Sequence, residues 1–412
     1  MNIGIVTTWF ERGAAYVSRQ FMDVLAQKHK VYIYARGGET FAKGNPKWDL
    51  PNVYWSKYPI NSKYIEKEEL CRWLKENQIE LVLFNEQNTF KPILWCKELG
   101  VKTMAYIDYY KEKTIPLFNV YDALVCNTRR HLSAFEDHPN AIYVPWGTDT
   151  NIYKPFNDDG KLVEEGKVTF FNSAGMNPLR KGTDSFIRAL TMCEDRRNIK
   201  ALIHTQVNLR EFFPQLASSI DGLINEGVLE LVEKTIPAPG LYYKADVYVY
   251  PSILDGIGLT VPEAISSGLA CIASNNPPMN EFVNDDLGAL IPINRLYARN
   301  DGYYWPQCRC DVNALREIIC KFASAPLDVV KMKKRARLYA LDKLSFEKNA
   351  TSILDKLESI QLIEVDDRLR NAVDTFDGSA GNKLVNFIMK YKLYRLPIKF
   401  FKRAVGYHGL YK

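Results

Sequence analysis

The sequence predicts two doubly wound α/β domains in succession. Its 412 residues are too many for one compact core and suit two. Short apolar runs alternate with amphipathic runs in both halves, the signature of strands joined by crossover helices. A polar stretch, TDTNIYKPFNDDGKLVEEGK (148–167), carries Pro155 and Gly160 and reads as a linker between them.

The first domain is expected at 1–150. NIGIVTT (2–8) reads as a buried strand. The helix ERGAAYVSRQFMDVLAQ follows, with Val17, Phe21 and Leu25 four apart on one face. KVYIYARGG then gives a second strand ending in a glycine turn, which completes a parallel βαβ unit. Further strands are expected at IELVLFN (79–85), VKTMAYID (101–108), DALVCNT (122–128) and AIYVPWG (141–147), with helices between them.

The second domain is expected at 168–340. VTFFNSAG, KALIHTQ, LELVEKTI, ADVYVYPS, LACIASN and ALIPI read as strands. TDSFIRALTMC and a segment starting near Val261 read as helices. The helical stretch ARLYALDKLSFEKNATSILDKLESI has a break near Leu344, and 341–362 is expected to return toward the first domain. Residues 363–412 read as an irregular basic, aromatic tail.

Composition bounds the function. Hydrophobic residues make up 47% and charged residues 25%, an ordinary globular balance. The apolar start is too short for a secretory signal, and no run reaches the roughly 18 apolar residues of a spanning helix. A cytoplasmic protein is expected. The net charge is +6, and the last thirty residues hold eight Lys or Arg and no Asp or Glu. There Phe387, Tyr391, Tyr394, Phe400, Phe401 and Tyr407 interleave with the cations. That pattern over 383–412 suggests contact with an anionic membrane surface, here the inner face of the cytoplasmic membrane. Nothing else supports a nucleic-acid partner. Eight cysteines lack metal spacing, and Cys308 and Cys310, two apart, match no zinc pattern, so no metal or cofactor is expected.

The chemistry concentrates between Gly175 and Glu281. ADVYVYPS runs into a loop with Asp255, Gly256 and Gly258, and a helix follows with Pro262 just inside its start. Glu263 comes eight residues after Asp255. A glycine loop lets backbone approach a ligand, and a helix start offers unpaired N–H groups, so a phosphate fits there. Two carboxylates beside a phosphate make sense if they accept hydrogen bonds from sugar hydroxyls instead.

These segments resemble the family-4 retaining glycosyltransferases of the GT-B fold. The resemblance rests on Pro251-Ser252, Asp255, Gly258-Leu259-Thr260 and Glu263, on Glu281 in SSGLACIASNNPPMNEFV, and on Lys181-Gly182 in NSAGMNPLRKGTDSFIRAL. It is strongest over 170–285. In the first half RGAAYVSRQF, with Gly13, resembles the family's first loop and helix, and YDALVCNTRRHLSAF resembles the stretch before the linker. The family usually has an Arg where Gly175 or Met176 stands here, with Arg180 as the candidate replacement. Its first acidic residue is usually Glu rather than Asp255. Where it often has a His, this chain has Asp108 among tyrosines.

The resemblance implies two Rossmann-like domains facing a cleft and a nucleotide-sugar donor. Lys181, Arg180 and the N–H groups from Gly258 through Leu259 to Thr260 would hold the diphosphate. Glu263 would bind the ribose and Asp255 the donor sugar. Asp108, in the acceptor-side domain, would join Asp255 and Lys181 as catalytic residues, and Gly13 would allow close approach to the donor. The implied activity is transfer with retention to a glycan or lipid-linked acceptor in surface-polysaccharide assembly. A nucleotide-sugar epimerase and a non-catalytic nucleotide- or glycan-binding protein are the alternatives on the same frame.

Overall fold

Seven parallel strands form the sheet of the first lobe: β1 (Asn2–Thr8), β2 (Lys30–Arg36), β3 (Val53–Trp55), β4 (Leu81–Asn85), β5 (Lys102–Tyr106), β6 (Ala123–Cys126) and β7 (Ala141–Tyr143). Their spatial order is β3-β2-β1-β4-β5-β6-β7. Six more form the second sheet: β8 (Val168–Gly175), β9 (Ile199–Thr205), β10 (Leu229–Glu233), β11 (Val247–Tyr250), β12 (Ala270–Ser274) and β13 (Gly288–Ile291), in the order β10-β9-β8-β11-β12-β13. Both orders reverse beside the first strand, which is the doubly wound arrangement. The computed structural model describes residues 1–36, 42–57, 64–156 and 161–378. The glycine turn after β2, part of the linker, and the tail from 379 on, including the membrane contact expected over 383–412, lie outside the described residues.

Helices cover both faces, which is why the central strands are apolar throughout rather than alternating. In the first lobe these are α1 (Gly13–Leu25), α2 (Lys67–Glu76), α3 (Lys91–Glu98) and the short α4 (Arg129–Ser133). In the second they are α5 (Thr183–Met192), α6 (Leu209–Phe212), α7 (Ala217–Asn225), α8 (Thr260–Ser266), α9 (Val312–Ser324) and α10 (Pro326–Lys343). A two-stranded antiparallel hairpin, β14 (Ile293–Tyr297) with β15 (Gln307–Cys310), follows the second sheet and has no counterpart in the sequence reading.

Both lobes use the same buried device. Asp122 stands just before β6 and Asp246 just before β11, and both are fully buried. Asp122 accepts the Thr103 N–H at 2.7 Å, the Ile363 N–H at 2.6 Å and the Lys97 ammonium. Asp246 accepts the Thr169 N–H at 2.9 Å, the Val163 N–H at 3.0 Å and the Lys333 ammonium at 2.7 Å. Each carboxylate thus ties a neighbouring strand and a distant segment to the start of its own strand.

The chain crosses back to the first lobe after α10. α11 (Phe346–Leu357) packs on α1, with the Phe346 ring edge-on to Phe21 at 5.2 Å. The outward crossing lies beside it. The Thr148 N–H donates to Leu344 at 2.7 Å, and the Phe346 N–H donates to Thr148 at 3.1 Å. A Cβ on Gly147 would lie 2.4 Å from the Leu344 carbonyl oxygen, so only glycine lets the two segments meet.

Residues 363–378, read as part of an irregular tail, are instead an ordered part of the first lobe. α12 (Asp367–Asp377) is capped by the Asp366 carboxylate and puts Val373 into the core. Asp377 then accepts the Phe90 and Lys91 N–H groups at 2.8 and 2.7 Å, capping α3.

Asp246→Ala should strand the buried Lys333 ammonium without its partner. The expected cost is about 3–5 kcal/mol, read as a fall in the denaturant midpoint of the second lobe.

Candidate active site

β8 and β11 are neighbours at the point where the second sheet reverses its order. Ligands of doubly wound sheets bind beyond the strand ends at such a point. Lys181 follows β8 and Asp255 follows β11, and the structure brings them together. The Lys181 Nζ donates to Asp255 Oδ2 at 2.7 Å. The Tyr250 hydroxyl donates to the same oxygen and accepts from Lys181. Arg180 adds a second cation, 3.7 Å from Asp255 Oδ1.

Gly182 makes this junction possible. It is the N-cap of α5 with φ of +69°, and a Cβ there would sit 1.8 Å from the Pro251 carbonyl oxygen. The Lys-Gly pair therefore seats the start of α5 directly against the end of β11.

Electrostatics separate the two acidic residues. Burial alone would raise the Asp255 carboxyl, but Lys181 and Arg180 outweigh it and hold it well below the usual carboxylate range. Burial pulls the Lys181 ammonium down, with Asp255 opposing. Glu263, on α8, lies within electrostatic reach of Lys181. Its Oε2 accepts the Tyr242 hydroxyl at 2.7 Å, and Tyr153 also bonds it. Burial prevails there and pushes Glu263 up to about 7.

The residues between them shape the floor. Gly258 has φ of +77°, Leu259 is the N-cap of α8, and the Thr260 hydroxyl is buried with no bonding partner among the described residues. Gly13, at the start of α1, faces Leu259 from the other lobe, and a Cβ on it would lie 3.6 Å from Leu259 Cδ1. Asp108 lies two residues beyond β5. Its carbonyl accepts the Tyr303 hydroxyl at 3.3 Å. Burial pushes that hydroxyl up to about 12, Arg130 opposes, and Asp108 and Asp255 both reinforce the rise, so the ring stands within reach of both carboxylates.

Glu281 faces elsewhere. Its two oxygens accept the Arg129 and Arg130 N–H groups at 2.6 and 3.0 Å and so cap α4 of the opposite lobe. Met176, at one of the positions of the absent family Arg, is an exposed apolar side chain.

The sequence reading missed the residues that join the lobes. Arg130, 4% exposed, reaches across to the backbone carbonyls of Asp255, Gly256 and Pro277. His131 Nε2 meets the Gly256 carbonyl at 3.0 Å. The hairpin loop supplies a second connection. Tyr303 stacks on Tyr109 with centroids 5.2 Å apart, the Tyr304 N–H donates to the Tyr110 carbonyl at 3.1 Å, and the Trp305 N–H donates to the Tyr110 hydroxyl. The cationic run RRH at the start of α4 is the one trace of these joining residues in the sequence, and taken alone it reads as an ordinary helix start.

Residues 167–299 match the family model described as glycosyl transferases group 1. That match covers about a third of the chain, all of it in the second lobe. The whole described chain has the GT-B fold, two Rossmann-like lobes with C-terminal helices. The structure of HepE from Anabaena in complex with UDP shares this GT-B fold with a TM-score of 0.67 at 14% identity, covering 87% of this chain and 99% of that one. An uncharacterized glycosyltransferase of Methanocaldococcus jannaschii is 22% identical over 212 residues, 46% of this chain and 50% of that protein. O-antigen chain mannosyltransferase B of Escherichia coli is 30% identical over 110 residues, 22% of this chain and 29% of that protein. The matched stretches thus span half or less of the length of these two relatives. Among the described residues no helix of this GT-B chain is long and apolar enough to cross a membrane.

Two outcomes follow from the geometry of the second lobe. Gly182→Ala should cost about 2–4 kcal/mol from combined backbone strain and overpacking, measured by chemical denaturation. Glu263, raised from 4.5 to about 7, favours folding below pH 4.5, and that share is lost as pH rises through 7. Glu263→Gln should remove this slope, so melting temperatures of wild type and variant between pH 4.5 and 8 should diverge in shape.

Proposed function

We propose that this protein is a retaining glycosyltransferase. It moves a sugar from a nucleoside-diphosphate sugar to a glycan or lipid-linked acceptor in the assembly of a surface polysaccharide. The observation that carries the reading is the cluster of Lys181, Arg180 and Asp255 at the switch point of the second sheet, with Glu263 within electrostatic reach of Lys181.

The chemistry follows from charge. As the bond between the anomeric carbon and the leaving phosphate breaks, negative charge builds on the diphosphate. Lys181 and Arg180, which now pair with Asp255, would stabilise that charge. The backbone N–H groups from Gly258 to Thr260 would add fixed dipoles without reorganisation. Asp255, kept ionised, would then exchange Lys181 for donor-sugar hydroxyls. Glu263, beside the Tyr242 and Tyr153 hydroxyls, would accept from the ribose. Asp108 and Tyr303 would border the acceptor hydroxyl, whose proton can pass to the leaving phosphate itself. Retention then follows from attack on the face the leaving group vacates. The complex of HepE with UDP supports a uridine or similar nucleotide in the equivalent cleft, and the mannosyltransferase likeness supports a polysaccharide acceptor. No metal ion is needed in this scheme.

Transfer from a panel of nucleotide sugars should identify the donor. Lys181→Ala should lower kcat about 10²–10³-fold, the usual cost of one preorganised charge-stabilising group. Glu263→Ala should weaken nucleoside-diphosphate binding, seen as lost thermal stabilisation. Wild-type behaviour in both variants rules out this site.

A further inference from the structure

Three of the bonds that cross from the first lobe end on the carbonyls of Asp255 and Gly256. Arg130 donates through one terminal nitrogen to the Pro277 carbonyl. Through the other it donates to the Asp255 carbonyl and, at 3.3 Å, to that of Gly256. Its guanidinium lies 5.5 Å from the Trp305 ring centre. The Gly256 N–H in turn donates to Asp255 Oδ1 at 3.0 Å, so the orientation of that peptide passes directly to the carboxylate.

A second connection runs beside it. The Trp305 indole N–H donates to the Tyr110 hydroxyl. Tyr110 meets His131 Nδ1 at 2.9 Å, and His131 Nε2 meets the Gly256 carbonyl at 3.0 Å. The direction of the chain is fixed at both ends, by an indole that can only donate and a carbonyl that can only accept. Tyr110 must therefore donate to Nδ1, and Nε2 must carry the proton. Burial depresses His131 to about 3, which keeps the ring neutral and in that one tautomer.

We propose that Arg130 and His131 are positioning residues of the first lobe that set the Asp255–Gly256 loop of the second. The loop then holds its reactive geometry only when the lobes are closed, and Tyr110 and Trp305 make the aromatic hairpin part of the same device. The inference rests on the proposed transfer reaction for its catalytic consequence, but not for its structural one. A displaced Asp255 misplaces the donor sugar, and a shift of about 1 Å can cost about 10²-fold in rate. The nucleotide contacts at Glu263 do not pass through this chain.

Tyr110→Phe removes one hydroxyl and keeps the ring, and Arg130→Lys keeps the charge. Both should lower kcat about 10–100-fold while the donor KM stays within about twofold. Both should also speed amide hydrogen exchange at residues 255–258. His131→Gln, whose amide nitrogen still donates, should keep more turnover than His131→Leu, which fills the same space without a donor. Wild-type kcat and exchange in Tyr110→Phe would overturn the inference, as would a loss confined to donor KM or His131→Leu outperforming His131→Gln. If the wild-type protein transfers no sugar at all, the functional reading fails. The exchange rates at 255–258 still decide the positioning role.

Discussion

The charge pair of Lys181 and Asp255 exists because two parallel strands end side by side. β8 and β11 are sequence-distant neighbours, and the segments after them leave toward different helices. There a cation from one connection can face an anion from the other. The requirement propagates outward. Gly182 must be glycine so that α5 can begin against Pro251, and Tyr250 must present its hydroxyl at the end of β11. Asp246 must hold the start of β11 level with β8. An ion pair at this depth is weak evidence of stability, since both partners lose hydration. It is better understood as a poised pair of opposite charges, each able to turn to a ligand that carries the complementary group.

Much of this was legible in the residues. The alternation of apolar and amphipathic runs located the strands of both sheets except the three-residue edge strand β3, and Leu344 marked the break between α10 and α11. Lys181-Gly182 and the spacing from Asp255 to Glu263 pointed to groups that the fold does gather. Three features were not legible, for physical reasons. NTRRHLSAF looks like any strand passing into a helix, and the partners of Arg130 lie some 125 to 147 residues away. The hairpin strands are short and joined by a long loop, so no tight-turn signal marks them. α12 does carry Leu369, Val373 and Phe376 at helical spacing, but one apolar stripe over eleven residues is a faint signal beside a strongly basic tail. Glu281 entered only as one of the residues that carry the resemblance, with no role attached; its carboxylate caps a helix of the first lobe.

The two passages of the chain between lobes run side by side, joined where Thr148 pairs with Leu344 and Phe346. Two strands fastened at one place act mechanically as a single pivot. A swing of the first lobe about it would leave α11 seated on α1. Such a swing cannot spare the rim, where Arg130 and the hairpin tyrosines grip the opposite lobe. Entry of a bulky ligand therefore costs those rim bonds, and their re-formation after entry would latch the door behind it.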